Sequence, residues 1–134
     1  MSIHSFTDLE VWKKARVLRK SISTLTQKFP TDEKFKLTDQ IKRSSRSITA
    51  NIAEGYGRFH YQENIQFCRV ARGSLTETLD HLIVAFDEGY IDEQTLKNYE
   101  SQLTEVKKIL NGYIKYLAKA KQLPLDTDEI PPNN

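Results

Sequence analysis

The chain is poor in the residues that break or cross-link helices. Its 134 residues include four prolines, at 30, 124, 131 and 132, so 31–123 contains none. Proline removes a backbone donor and clashes with the preceding turn, so a stretch without it leaves room for long helices. The single cysteine, Cys68, excludes an internal disulfide and fits a reducing compartment. No apolar run approaches the roughly 18 residues of a membrane span. The start, MSIHSFTDLE, lacks the basic residues and apolar block of a signal peptide. A cytoplasmic protein without a membrane partner is the expectation. Strand-like alternation is missing too. There are five glycines, and "GYGR" (55–58) lacks the lysine and hydroxyl that complete a phosphate-cradling loop.

What is present has helical period. The first helix is expected over Asp8–Lys28, with Thr7 and Glu10 as a capping box and Phe6 with Val11 as a staple. Its stripe is Val11, Ala15, Leu18, Ile22, Leu25 and Phe29, and Pro30 stops it. The second begins after Thr31, buries Leu37, Ile41, Ile48 and Ile52, and ends at Gly55 as a left-handed residue. The third spans Tyr61–Glu88, with Cys68, Ala71, Leu75, Leu79, Leu82 and Phe86 on one face and Gly89 as its stop. The fourth is capped by Asp92 and lines Leu96, Tyr99, Leu103, Val106, Leu110, Ile114 and Leu117. Four such helices on short loops make an all-α, antiparallel up-and-down four-helix bundle over residues 1–121. Residues 122–134, acidic and proline-containing, read as a flexible tail.

Short side chains interrupt the second helix. In "SITANIAEGYGR" (47–58), Ser47, Asn51, Glu54 and Arg58 run down one flank of the apolar stripe, with Ser44 and Gly55 on the stripe itself. "ARGSLTETL" (71–79) offers matching small and polar groups in Ala71, Ser74 and Thr78. Small residues let helix axes approach closely, and buried polar groups need partners. Ser47, Asn51, Glu54 and Ser74 are therefore expected to form a structural polar cluster between helices two and three. A polar pocket is the functional alternative.

The ordered set "TDLEVW" (7–12), "KFP" (28–30), "SITANIAEG", "ARGSLTETL" and "GYI" (89–91) resembles the four-helix-bundle family of the 23S ribosomal RNA intervening sequences. Thr49 stands where that family commonly has proline. The resemblance covers about residues 5–121. It implies a left-handed bundle assembled into a closed ring, a pentamer. It also implies similarity to the accessory variability determinant of diversity-generating retroelements, which works beside a reverse transcriptase and RNA. It implies no enzyme and no cofactor.

Charge and outward residues bear on partners. Residues 1–60 hold 12 Lys/Arg against 6 Asp/Glu, while 61–134 hold 8 against 12. Lys13, Arg16 and Lys20 share the outer face of helix one, and Lys42 and Arg46 that of helix two. Arg58 sits among Tyr56, Phe59, His60 and Tyr61. Phosphates require such cations and unstacked bases such aromatic faces, so these six cations are the candidate contacts to RNA or DNA. Val17, Gly73, Gly112 and a second stripe of Ile109, Tyr113, Tyr116 and Ala120 point outward and fit a homo-oligomer. No Glu-x-x-His occurs, so a bundle di-metal set is not expected. Cys68 lies on the apolar stripe as an inert thiol. The expectation is a non-enzymatic, nucleic-acid-associated adaptor. A protein-interaction scaffold that binds no nucleic acid is the alternative.

Overall fold

A computed structural model describes residues 3–130. It contains four helices, α1 (Glu10–Thr26), α2 (Leu37–Tyr56), α3 (Tyr61–Asp87) and α4 (Glu93–Lys121), and no strand among the described residues. Each helix packs on its chain neighbour and α4 returns to α1, while the diagonal pairs α1–α3 and α2–α4 do not meet. The result is the expected all-α up-and-down four-helix bundle. Its centre is apolar: Leu18, Ile22, Ile41, Ile48, Ile52, Leu82, Leu110 and Ile114 are essentially fully buried. Truncating any one of them to alanine costs about 2–5 kcal/mol.

Several helix ends differ from the sequence expectation. The N-terminal capping box forms two residues early. Ser5 accepts from the Thr7 N–H at 3.2 Å, and Asp8 accepts from the Ser5 N–H at 3.2 Å. These close a 3-10 turn over Phe6–Asp8, and α1 then starts behind Leu9 without a side-chain cap. Ser5–Asp8 has the same spacing as Thr7–Glu10 and takes the role. Asp32 and Glu33 likewise sit in a 3-10 turn, Thr31–Glu33, because Glu33 is held by the Tyr90 hydroxyl at 2.7 Å. Gly89, with φ of 79°, ends α3 as expected, and Asp92 caps α4 by accepting from the Thr95 N–H at 2.8 Å.

Gly55 is not a terminator. It lies buried inside α2, and a Cβ there would stand 2.7 Å from Asn64 Oδ1, 2.9 Å from the Asn64 carbonyl and 3.0 Å from Phe67 Cβ. Its value is close approach between helices, not a left-handed turn. On α3, Phe86 is more exposed than its stripe predicts, and Ala85 is buried in its place.

α2 and α3 form the most extensive pairing. Across it, Thr78 donates to Ser44 at 2.8 Å and Ser74 donates to Ser47 at 2.9 Å. Asn51 donates to the Ser47 carbonyl at 2.8 Å and to its hydroxyl at 2.9 Å. As one position climbs α2 its partner descends α3, through to Gly55 against Asn64. The structure thus brings Ser47, Asn51 and Ser74 together. Glu54 stands outside them, exposed and turned to Arg58 at 3.4 Å, because its place on the flank already faces solvent. Among the described residues, every buried side-chain nitrogen and oxygen has a partner.

The tail also departs from expectation. Gln122, in the left-handed region with φ of 53°, closes α4, and the Leu123 N–H returns to the Ala118 carbonyl at 2.8 Å. The chain then turns onto α3 and α4 and forms a 3-10 turn, Thr127–Glu129, whose Glu129 is buried. Residues 122–130 are docked where a loose segment was expected. The remaining tail, 131–134, lies outside the described residues.

Candidate nucleic-acid interface

The outer faces of α1 and α2 meet in an open groove of about 580 Å3. Phe6 and Trp12 line one end, Arg19, Lys20 and Ser23 one wall, and Arg46, Thr49, Ala50 and Ala53 the other. The shape follows from the sequence. Alanine and threonine on the outer face of α2 leave a shallow channel, and the aromatic pair closes it where the chain enters α1. Phe6 and Trp12 meet edge to face at 5.2 Å, and the Arg16 guanidinium lies 5.8 Å above the Trp12 ring. An aromatic face with a cation over it is a stacking surface.

Of the six cations singled out in the sequence, Lys20 and Arg46 line this groove, and Arg16 stands beside it over Trp12. Lys13 is exposed two turns before Lys20 and Lys42 is half-buried on α2, neither lining the groove. Among the described residues, none of these five has an ion pair, although the fold holds ion pairs elsewhere on its surface. Unpaired cations keep their full field for an external anion.

Arg58 belongs to a different place. It pairs with Glu54 at 3.4 Å and Glu63 at 3.7 Å, and its guanidinium lies 4.8 Å above the Phe67 ring. Its charge is spent within the α2–α3 corner. The neighbouring aromatics stay available: Phe59 is 90% exposed, meets His60 edge to face at 5.0 Å, and shares a smaller groove of about 330 Å3 with Tyr61, Gln62, Lys121 and Leu123. Lys121 lies 5.7 Å over the Tyr61 ring.

Arg19 went unrecognised in the sequence. Its Nη1 donates to Thr49 Oγ1 at 2.9 Å, and that hydroxyl donates to the Arg46 carbonyl at 3.1 Å. The departure from proline at position 49 thus supplies the acceptor that aims Arg19 across the groove. Only the structure joins the two residues, which lie 30 positions apart.

The other reactive groups are quiet. Burial first, then the nearby Glu129 charge, pushes the Cys68 thiol up to about 12, so it stays protonated near neutral pH. Tyr113, expected outward, turns in: its hydroxyl accepts from Asn64 at 3.1 Å, and burial pushes its pKa up to about 12. Glu77 and His81 lie 3.3 Å apart on α3, and among the described residues no group of three His, Cys, Asp or Glu converges. No helix is long and apolar enough to cross a membrane, among the described residues.

A crystal structure from Bacteroides thetaiotaomicron VPI-5482, of a protein with unknown function from the S23 ribosomal protein family, superposes with a TM-score of 0.72. It is 27% identical, and the match covers 78% of this chain and 98% of the other. No curated protein matches. The sequence pattern of the 23S rRNA-intervening sequence proteins matches residues 7–112, from the turn before α1 to the middle of α4. The match takes in the paired hydroxyls of α2 and α3 and both walls of the groove. On that match and the bundle that carries it, this chain belongs to the family of 23S rRNA-intervening sequence proteins.

Proposed function

We propose that this protein is a non-enzymatic adaptor that binds RNA through the groove between α1 and α2. One observation carries the reading: five cations that make no ion pair among the described residues cluster on the two adjoining helix faces, beside an aromatic pair. Lys20 and Arg46 hold phosphates from opposite walls, with Arg19 between them. Lys13, Arg16 and Lys42 extend the field along both helices. Phe6 and Trp12 offer a face to an unstacked base, which favours single-stranded segments or loops over a regular duplex.

The protein works as a homo-oligomer, a ring of five. Supporting this, Val17 and Tyr116 stand about two-thirds exposed, at 64% and 65%, on α1 and α4. Gly73 and Gly112 each leave open space where a Cβ would sit, on faces the bundle does not use. Repeating the groove around a ring would multiply its field.

The test is a gel shift on protein freed of co-purified nucleic acid, with single-stranded and structured RNA over a salt series. Each phosphate contact contributes a slope of about −0.7 in log K against log salt for single strands, so five contacts give about −3.5. Lys42→Glu with Arg46→Glu should weaken binding at least about tenfold and flatten that slope. No shift at low salt, or binding that ignores salt, overturns the reading and leaves a protein-interaction scaffold.

A further inference from the structure

A second charged centre lies away from the groove, where the tail meets α3 and α4. Arg69 places Nε and Nη2 each 2.9 Å from the two carboxylate oxygens of Glu129. Arg72, one turn along, donates to Glu129 at 2.8 Å and to Asp126 at 2.7 Å. Asn111 of α4 accepts from Arg72 at 2.7 Å and donates to the Asp128 main-chain carbonyl at 3.3 Å. The Glu129 side chain has no exposed surface. We propose that Arg69, Arg72 and Asn111 form a docking site for an acidic peptide segment, and that the protein's own tail is its resident, exchangeable occupant.

Three features argue for a peptide. The Arg69 fork meets one carboxylate through two parallel bonds, a geometry that selects a planar acid. Asn111 reads a main-chain carbonyl, which fixes the backbone of the guest. The guest's turn is self-capped: Asp126 accepts from the Asp128 N–H at 3.1 Å, and the Asp126 N–H donates to Glu129 at 3.0 Å. The recognised element is therefore two carboxylates three residues apart on a single turn. A nucleic acid has no main-chain carbonyl for Asn111 to bond.

Two features argue for exchange. The tail's hold is largely ionic: Glu129 is its one buried residue among 122–130, Leu123 and Leu125 are only partly buried against the core, and Ile130 is 55% exposed. In addition, two guanidiniums one turn apart repel each other when no anion lies between them. The tail therefore leaves as another acid arrives. This inference is independent of the nucleic-acid reading.

The experiment uses the full chain carrying a fluorophore at Asn134→Cys. Cys68, buried with its thiol held protonated, stays unlabelled. A synthetic peptide of residues 123–134 (LPLDTDEIPPNN) is added, and anisotropy reports tail release. The tethered tail competes at an effective concentration of about 1 mM, so release should be half complete near that peptide concentration. Glu129→Gln in the full chain, its fold checked by circular dichroism, should lower the required concentration at least about tenfold. A peptide with its acids replaced by amides should release nothing. The proposal is overturned if the acidic peptide releases the tail from neither chain, if the amide peptide works equally well, or if RNA releases the tail and the peptide does not.

Discussion

Gly55 and Gly73 are both helical glycines, and their surroundings assign them opposite signs. Alanine at 55 would press on the Asn64 backbone and on Phe67 Cβ, neither of which is a flexible tip, so Gly55→Ala should destabilise by about 1–3 kcal/mol in urea melts. Alanine at 73 meets nothing within 4 Å, so Gly73→Ala should stabilise the isolated chain by about 0.5–1 kcal/mol. If Gly73 serves close contact between subunits, the same change should also reduce the assembled fraction. Glu129 makes a third prediction at this scale. Burial alone would raise its pKa, but the hydrogen bonds from Arg69, the Asp126 N–H and Arg72 outweigh it and hold the carboxyl down to about 2. A depressed folded pKa means stability that is complete above the ordinary value of 4.5 and lost as pH falls toward 2. Acid titrations should show the wild type losing stability across that window, and Glu129→Gln losing less of it.

The pairing of α2 with α3 is where element-scale physics is most exposed to measurement. Ser47→Ala and Ser74→Ala remove the two ends of one hydrogen bond, and their double-mutant cycle should give a coupling of about 0.5–1.5 kcal/mol. A cycle near zero would mean that helix register rests on shape alone. This pairing was legible in the sequence because hydroxyls recur at helical spacing on both strips. The α4 stripe was legible for the same reason, since its whole period is apolar. The ends of α1 and α2 were not. Ser5–Asp8 and Thr7–Glu10 offer the same capping chemistry, and nothing local chooses between them. Gly55 misled because glycine marks both a helix stop and a close approach, and only the facing Asn64 distinguishes the two. The groove was half legible. Its cations follow the helical period, but Arg19 is aimed by a hydroxyl on another helix, and Arg58 is neutralised by an acid from the next one. The clamp on Glu129 left no signal, because an acidic, proline-containing stretch reads as solvated until its arginines are placed.

At the scale of the whole molecule, charge and assembly are tested together. Light scattering on protein freed of nucleic acid should give five times the chain mass, and RNA bound per ring should scale with the number of grooves. The same scale shows a consequence of the α2–α3 hairpin. Its helices are joined by only four residues, 57–60, whereas α1 and α4 must find each other across 78 positions to place Ser21 against Tyr99 at 2.7 Å. Closing a short loop costs less entropy than closing a long one, so the hairpin is the natural folding nucleus. Losing the Ser47–Ser74 bond should then slow refolding, while losing the Ser21–Tyr99 bond should chiefly hasten unfolding.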